Sequence, residues 1–192
     1  NHLSTYGTLE NLPDKVAIQL NDTHPTLAIP EMMRILLDEC GFGWDKSFDI
    51  CQKVFSYTNH TVMAEALEKW NVDIFKMTLP RIYQIVVEMD RRAREKLEAA
   101  FPGDQGKINY MTLIGDNQVR MANICAYTAN SINGVSKLHS EIIKESVFHD
   151  YYLFKPQAFK NVTNGIAYRR WLLASNCLLY TSPSPRDRTR SR

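Results

Sequence analysis

The sequence predicts an α/β fold, in which strands alternate with helices and the helices pack on a sheet. Residues 16–20 form a short apolar run of β type and are followed by helical sequence, and residues 54–57 repeat this arrangement. Elsewhere, apolar residues recur at the 3.6-residue spacing of amphipathic helices. Strands that alternate with helices are typical of α/β layers. A chain of 192 residues is long enough to bury a sizeable core.

The first strand–helix unit covers residues 16–39. Its strand, residues 16–20, ends in the polar cluster Asn-Asp-Thr-His-Pro at residues 21–25. Apolar residues then recur at helical spacing up to about residue 39, and Pro30 is compatible only with the first turn of that helix. Gly41 and Gly43 end the helix.

The second unit begins with a predicted helix at residues 44–53 and a strand at residues 54–57. The polar turn Thr-Asn-His-Thr follows at residues 58–61, and the sequence then predicts another helix over residues 64–70. The two units therefore share one design, a strand, a polar cluster and a helix.

A long amphipathic helix is predicted to end at Pro102-Gly103, with a charged face that is typical of a solvated surface. Its apolar stripe consists of Ile82, Ile85, Met89, Ala93, Leu97 and Ala100. Residues 111–114 and about 119–128 are expected to be buried and extended, and residues 136–147 to be helical.

Composition and charge exclude several classes of protein. No window approaches 18 uninterrupted apolar residues, so no membrane span is expected. The formal charge of +2 comes from the end of the chain, since residues 177–192 carry four Arg and one Asp. The body therefore gives no case for nucleic-acid binding. Four cysteines without CxxC spacing predict reduced, buried thiols, and the first residues are not expected to form a signal peptide.

The two polar clusters are the candidate site, because ligands of α/β sheets bind beyond the carboxyl ends of the strands. Asn, Asp, Thr and His can all form hydrogen bonds with sugar hydroxyls. Alternatively, Asp22 or Thr23 caps a helix, and His60 is a histidine satisfied within its loop. A metal site from Asp22, His24 and His60 lacks supporting spacing, and no Walker A, GxSxG or GxGxxG motif occurs.

Several segments, in order along the chain, resemble the α-glucan (glycogen, starch or maltodextrin) phosphorylases. The resemblance runs from about residue 1 to Asn176, and motifs of this length in the same order are highly specific. The matching segments are residues 15–25, 27–31, 57–62, 65–70, 101–104, 133–135, 138–142, 163–166 and 169–172.

The resemblance implies a two-lobed, glycosyltransferase-B-like architecture of two Rossmann-like lobes, and the chain is expected to be an internal fragment of it. Residues 1–160 would be the last part of the N-terminal lobe, and residues 161–176 the crossing into the C-terminal lobe. Residues 177–192 have no counterpart in the family and are expected to be non-native or disordered.

The resemblance also assigns site residues. His60 corresponds to the residue whose ring and backbone carbonyl lie against the glucosyl unit, and Asn164 to the asparagine that binds the same sugar. Further residues would line the pocket or belong to the sugar-site loop and helix: Asp22, His24, Thr61 and Glu65. Such oxygen dipoles suit an oxocarbenium-like glucosyl group, which they stabilise without a formal nucleophile.

The function implied is phosphorolysis of terminal α-1,4-glucosyl units by orthophosphate, with retention, giving glucose 1-phosphate. The cofactor implied is pyridoxal 5'-phosphate, whose lysine would lie outside this chain, so the chain alone is expected to be inactive. The parent enzyme would be a cytoplasmic homodimer. The alternatives are a non-catalytic carbohydrate-binding fragment and another glycosyltransferase-B enzyme, such as a sugar-nucleotide-dependent glycogen synthase.

Departures from the animal enzymes indicate a bacterial type. Met63-Ala64 stands where animal enzymes usually have Leu-Pro, and the stretch 112–120 is shorter. Val87 and Asp90 replace residues typical of the animal glycogen storage site, so that site is not expected here.

Overall fold

The computed structural model describes residues 2–175, without the side chain of Ala64. It contains seven strands: β1 Ile18–Asn21, β2 Phe55–Asn59, β3 Lys69–Asn71, β4 Ile114–Gly115, β5 Gln118–Arg120, β6 Ile132–Gly134 and β7 Phe159–Asn161. Strands β1, β2, β6 and β7 form a parallel sheet in the order β1-β2-β6-β7, and β3, β5 and β4 form a small antiparallel sheet. The predicted α/β class is confirmed.

Eleven α-helices lie in the described residues: α1 His2–Tyr6, α2 Leu12–Lys15, α3 Ala28–Arg34, α4 Trp44–Val54, α5 Val72–Thr78, α6 Pro80–Ala100, α7 Gln105–Met111, α8 Met121–Thr128, α9 Lys137–Glu145, α10 His149–Phe154 and α11 Tyr168–Ser175. A π-helical turn, Ile35–Glu39, extends α3. Single 3-10 turns occupy Ala64–Ala66 and Pro156–Ala158. The described helices are too short or too polar to span a membrane.

The strands of the two predicted units are parallel neighbours in one sheet, since β1 pairs with β2 from Ile18 opposite Phe55 to Asn21 opposite Thr58. Tyr57 of β2 lies opposite Ile132 of β6, which continues the sheet. Because the strands are parallel, the residues that follow β1 and β2 leave the sheet at the same edge.

One face of the parallel sheet is covered, and the other is polar. Leu20, Phe55 and Tyr57 point to the covered face and are at most 1% exposed. Helix α8 packs against β2, and α9 packs against β6 and β7. Alternate residues on the opposite face are half-buried or exposed: Gln19, Asn21, Ser56, Thr58 and Asn133. This alternation is that of a sheet with one buried face.

The long amphipathic helix is confirmed as α6, which buries five of the six predicted stripe residues, Ile82, Ile85, Met89, Ala93 and Leu97. Ala100 is exposed instead, because it is the last residue of the helix. The predicted helix at residues 136–147 is present as α9.

Two predictions of secondary structure are wrong, and a third holds only in part, since Met111 ends α7 and only Ile114 of residues 111–114 lies in a strand. Residues 64–70 contain a 3-10 turn and strand β3, which pairs antiparallel with β5 from Lys69 opposite Arg120 to Asn71 opposite Gln118. Most of residues 119–128 belong to α8, in which every residue is buried. A helix that is buried on all sides has no amphipathic period, so its sequence cannot be told from a buried strand.

The predicted end of the chain lies mostly outside the described residues. From Val162 to Ser175 every residue is exposed, and α11 has no buried side chain. The prediction that residues 177–192 are non-native therefore stays untested.

Candidate functional site

The candidate site begins where β1 and β2 end. The backbone N–H of Asp22 donates to the carbonyl of Thr58 at 2.9 Å, which extends the strand pairing by one residue. Asp22 then adopts φ 61°, a left-handed conformation that Asp tolerates better than most residues. Its Oδ1 accepts the N–H of Thr23 at 2.8 Å, so the side chain stabilises the turn that redirects the chain.

His60 is the first residue after β2, and its imidazole is exposed at the edge of the sheet. Its Nε2 lies 2.6 Å from Oδ1 of Asn21, the last residue of β1. Beside this pair, Nε2 of Gln19 donates to the hydroxyl of Thr58 at 2.8 Å. The strand register and the contact with Asn21 thus hold the imidazole over the carboxyl edge of the sheet.

An open depression of about 600 Å³ lies beside His60. It is lined by Gln19, Asn21, Thr58, His60, Ser131, Asn133, Lys160, Val162 and Asn164. Eight of these nine residues are polar, and together they offer amide, hydroxyl, imidazole and ammonium groups. That set of donors and acceptors suits a polyhydroxylated ligand.

The depression contains both of the main predicted residues, His60 and Asn164. Asn164 is held through its backbone, because its N–H donates to the carbonyl of Val135 at 2.9 Å. Asn133 of β6 fixes the preceding segment, since its Oδ1 accepts the N–H of Val162 at 2.5 Å. Two residues that are 104 positions apart in the sequence therefore share one cavity.

The other predicted residues are not among those that line the depression. The side chain of His24 is 81% exposed and its Nδ1 lies 3.9 Å from Oε2 of Glu68. Thr61 is half-buried, and its N–H donates to Oδ1 of Asn59 at 3.1 Å. Glu65 is exposed in the 3-10 turn that replaces the predicted helix.

Sequence reasoning missed the polar face of the sheet. Gln19, Thr58 and Asn133 all line the depression, and their alternation with buried neighbours was visible as a period of two in the strands. It also missed the buried side chains beneath the edge. Asn59 and His139 are 0% and 7% exposed, and His139 Nε2 lies 3.2 Å from Asn59 Oδ1.

The cysteines of the described residues are free thiols, and Cys51 and Cys125 are buried as predicted, whereas Cys40 is only half-buried. Burial raises the pKa of each of these two thiols to about 12, so both are protonated at neutral pH. Cys177 lies outside the described residues. Within residues 2–175, no group of three or more His, Cys, Asp or Glu side chains is arranged to hold a metal ion.

Comparison with known proteins matches residues 1–182 to the carbohydrate phosphorylase family. The chain is 49% identical over 170 residues to the brain form of rat glycogen phosphorylase, covering 87% of this chain and 20% of that protein. It is 49% identical over 167 residues to the mouse muscle form and 48% identical over 167 residues to the human muscle form. Each of these two matches covers 85% of this chain and 20% of the relative.

The chain belongs to the carbohydrate phosphorylase family. It spans about one fifth of the length of the curated relatives it matches. For a phosphorylase, the parallel sheet with its site at the carboxyl edge agrees with the glycosyltransferase-B fold that the family implies. The greater similarity to bacterial enzymes stays a prediction.

Phosphorylases use pyridoxal phosphate, and Lys155, the described lysine whose pKa is lowered, does not fit the role of its Schiff-base partner. The cofactor's lysine partner must be deprotonated and accessible to form a Schiff base. Burial lowers the pKa of Lys155 to about 7, but its Nζ donates to the carbonyls of Tyr127 and Ala129 at 2.8 and 2.9 Å. These carbonyls close the end of α8, so Lys155 caps a helix and presents no free amine to a cofactor.

Proposed function

We propose that this chain is part of an α-1,4-glucan phosphorylase, and that the depression beside His60 is its half of the glucosyl-binding site. The observation that carries this proposal is that His60 and Asn164 line the same polar cavity at the carboxyl edge of the sheet. Family membership supports phosphorolysis over synthesis from a sugar nucleotide.

In this proposal the parent enzyme transfers a terminal α-1,4-glucosyl unit to orthophosphate with retention. His60 holds the sugar through its ring and backbone carbonyl, and Asn164 binds a sugar hydroxyl. Both groups are preorganised, because Asn21 fixes the imidazole and Val135 fixes the backbone of Asn164. Fixed dipoles of this kind stabilise positive charge that develops on the sugar without reorganising during the reaction.

Asp22, His24, Thr61 and Glu65 are assigned supporting roles. Asp22 and Thr61 shape the two turns that leave β1 and β2, since the Asp22 carboxylate accepts the N–H of Thr23 and the N–H of Thr61 donates to Asn59. The exposed His24 and Glu65 would contact the glucan or the second lobe. Pyridoxal phosphate would be bound by the rest of the parent protein, which we take to be a cytoplasmic homodimer that binds neither nucleic acid nor membrane.

We also propose that residues 1–160 are the last part of the N-terminal lobe, and that residues 161–176 cross to the C-terminal lobe. Two features support this division. Strand β7 ends at Asn161, and every residue from Val162 to Ser175 is exposed, as expected for a segment that packs on another part of a longer protein.

The sugar site can be tested on the chain as it stands by NMR titration of the ¹⁵N-labelled protein with maltoheptaose. We expect saturable shifts at His60, Lys160 and Asn164, with a dissociation constant of about 1 mM or weaker, because only half of a site is present. Cellobiose, whose linkage is β-1,4, serves as the control ligand and should leave these signals in place.

The nucleotide sequence on either side of this open reading frame distinguishes a phosphorylase from a non-catalytic carbohydrate-binding protein. A continuing frame that encodes a cofactor lysine supports the enzyme. Shifts confined to other surfaces, or none at saturating maltoheptaose, would contradict the glucosyl site itself.

A further inference from the structure

A buried histidine, His139, connects the two sides of the candidate site. It lies in the first turn of α9, where its own N–H donates to the hydroxyl of the N-cap residue Ser136 at 3.1 Å. Its side chain is buried, and the roles proposed above leave it without a function. Buried polar side chains need hydrogen-bond partners, so the partners of the two ring nitrogens show which parts of the chain His139 connects.

The Nε2 side of the ring reaches the loop that carries His60. Nε2 lies 3.2 Å from Oδ1 of Asn59, and the same oxygen accepts the N–H of Thr61 at 3.1 Å. Nδ2 of Asn59 donates to the hydroxyl of Tyr57 at 3.0 Å, which fixes the orientation of the amide. Asn59 and Thr61 flank His60, so this oxygen anchors the backbone on both sides of the imidazole.

The Nδ1 side of the ring reaches Asn164. The N–H of Val135 donates to Nδ1 of His139 at 3.2 Å, and the carbonyl of Val135 accepts the N–H of Asn164 at 2.9 Å. A continuous series of hydrogen bonds thus runs from Thr61 through His139 to Asn164, beneath the depression.

The partners determine the tautomer of His139. A backbone N–H can only donate, so Nδ1 must accept from Val135 and carries no proton. The proton of the neutral ring is therefore on Nε2, which donates to Asn59 Oδ1. A neutral imidazole with its proton on Nε2 offers one hydrogen-bond donor and one acceptor. Asn59 binds the donor at Nε2, and Val135 binds the acceptor at Nδ1.

We propose that His139 is a positioning residue, which as a neutral imidazole with its proton on Nε2 fixes the His60 loop and Asn164 relative to each other. The inference deepens the proposed function and rests on it for the meaning of the depression. The hydrogen-bond series itself does not depend on the identity of the ligand.

The packing of α9 sets the distance over which the ring must reach. A Cβ on Gly134 would lie 2.7 Å from the Cα of Ser140, so α9 approaches β6 as closely as only glycine permits. Nδ2 of Asn161 donates to the Gly134 carbonyl at 3.2 Å and to the Ser140 hydroxyl at 2.8 Å, which ties β7 to the same contact.

The charge state agrees with this geometry. Burial lowers the pKa of His139 below 6.5, the nearby backbone of Thr61 raises it, and the nearby His60 lowers it. Tyr57 stays neutral, because burial raises its pKa far above neutrality. Because the pKa of His139 is lower in the folded chain than in the unfolded chain, the buried neutral imidazole contributes its full stability above pH 6.5. This contribution is lost as the pH falls through the folded pKa of His139.

Protonation should break one side of the series and spare the other. A proton on Nδ1 removes the acceptor of Val135, whereas Nε2 still donates to Asn59. As the pH falls, we therefore expect the amides of Val135 and Asn164 to change before that of Thr61.

The first test is an NMR titration of the ¹⁵N-labelled chain, which reads the imidazole nitrogens of His139 and the three amides. We expect the Nε2-protonated tautomer at pH 7.5 and one transition below pH 6.5, shared by the ring, Val135 and Asn164. The same titration of His60→Gln assigns the transition, because His60 is the histidine whose charge acts on that of His139. An Nδ1-protonated ring, or a His139 that is charged at pH 7.5, would overturn the proposal.

Two substitutions of His139 test the two sides of the hydrogen-bond series separately. His139→Gln keeps a donor for Asn59 and loses the acceptor of Val135, and His139→Asn does the reverse. We expect hydrogen exchange to accelerate about 10-fold at Val135 and Asn164 in the first variant and at Thr61 in the second, as the loss of one hydrogen bond allows. His149→Gln, an exposed histidine on α10, is the matched control and should change none of them.

Equal acceleration of all three amides in both variants would mean that His139 only packs, which overturns the positioning role. If either variant fails to fold, the titration of the unsubstituted chain still decides. Maltoheptaose then separates the two proposals. If the hydrogen-bond series behaves as expected but the His60 signals do not shift with maltoheptaose, the positioning role stands and the proposed function is contradicted. If the His60 signals shift with maltoheptaose but the series does not behave as expected, the proposed function stands and the positioning role is contradicted.

Discussion

At the scale of single residues, the contact between β6 and α9 leaves the least room for change. A Cβ at Gly134 would lie 2.4 Å from the Ser140 hydroxyl and 2.7 Å from its Cα. The hydroxyl can rotate, but the Cα belongs to the helix, so the helix must move. We expect Gly134→Ala to lower the free energy of unfolding by about 1–3 kcal/mol, the usual cost of overpacking. Urea denaturation measures the loss.

Gly106→Ala is the matched control for that prediction. In α7 a Cβ at Gly106 would meet only Oδ1 of Asp104, at an ordinary 3.7 Å. The same substitution should therefore stabilise the chain by about 0.5–1 kcal/mol through helix propensity. A Gly134→Ala variant that is as stable as the unsubstituted chain would mean that α9 is not held against β6.

His60 can be tested in the full-length parent enzyme. If its ring and carbonyl bind the sugar more tightly as charge develops, His60→Ala should lower kcat and kcat/KM together. The expected loss is about 2–4 kcal/mol, on the order of 10²–10³-fold, typical of one preorganised electrostatic contact. Steady-state kinetics with His149→Ala as control measure it. An unchanged kcat with a higher KM would limit His60 to binding substrate and transition state equally.

The site was only partly predictable at this scale. The order of strand, polar cluster and helix was enough to place Asp22 and His60 at one edge, because parallel strands end together. Asn164 entered through its family motif alone, since no local pattern links it to a residue 104 positions earlier. His139 reads as one residue of an amphipathic helix, and its partners, Asn59 and Val135, are set by tertiary packing.

At the scale of elements, a buried carboxylate joins α6 to the segment that leads into the small sheet. Asp90 is 7% exposed, and its Oδ1 accepts the N–H groups of Leu113 and Ile114 at 2.7 and 3.1 Å. Its Oδ2 accepts from Nε of Arg94 at 2.7 Å. The residue that departs from the animal storage-site pattern thus has a structural role in this chain.

Asp90→Ala should therefore destabilise the fold. It leaves the N–H groups of Leu113 and Ile114 without their acceptor, and each buried unsatisfied donor costs about 1–3 kcal/mol. We expect a total loss of about 2–4 kcal/mol by urea denaturation. Glu95→Ala, an exposed carboxylate on the same helix, should change stability by less than about 0.5 kcal/mol. Equal effects of the two substitutions would contradict the role of Asp90.

Elements with a clear period were predictable, and the others were not. Helix α6 has a polar face and an apolar stripe along its length, so its sequence alone shows which face is buried. Helix α8 is buried on all sides, and β3 is an exposed strand that exists because β5 pairs with it. Neither environment leaves a local signature in the sequence.

At the scale of the whole molecule, the described helices pack on only one face of the parallel sheet. The polar face of the sheet and the segment beyond β7 are open. The large apolar side chains Ile166 and Trp171 are 73% and 69% exposed. Under the proposed division of the chain, we expect these exposed apolar side chains to pack against the C-terminal lobe.

The last prediction is that this chain alone does not catalyse phosphorolysis. Catalysis would need a phosphate group held beside the sugar by cationic residues and a closed cleft that excludes water. The described residues offer Lys160 at an open depression, and the nitrogen of Lys155 is engaged by two carbonyls. We therefore expect no stoichiometric uptake of pyridoxal phosphate and no glucose 1-phosphate from glucan and orthophosphate. Absorbance and a coupled assay measure the two, with a full-length phosphorylase as the positive control. Turnover with bound cofactor would show that the catalytic groups lie within these 192 residues after all.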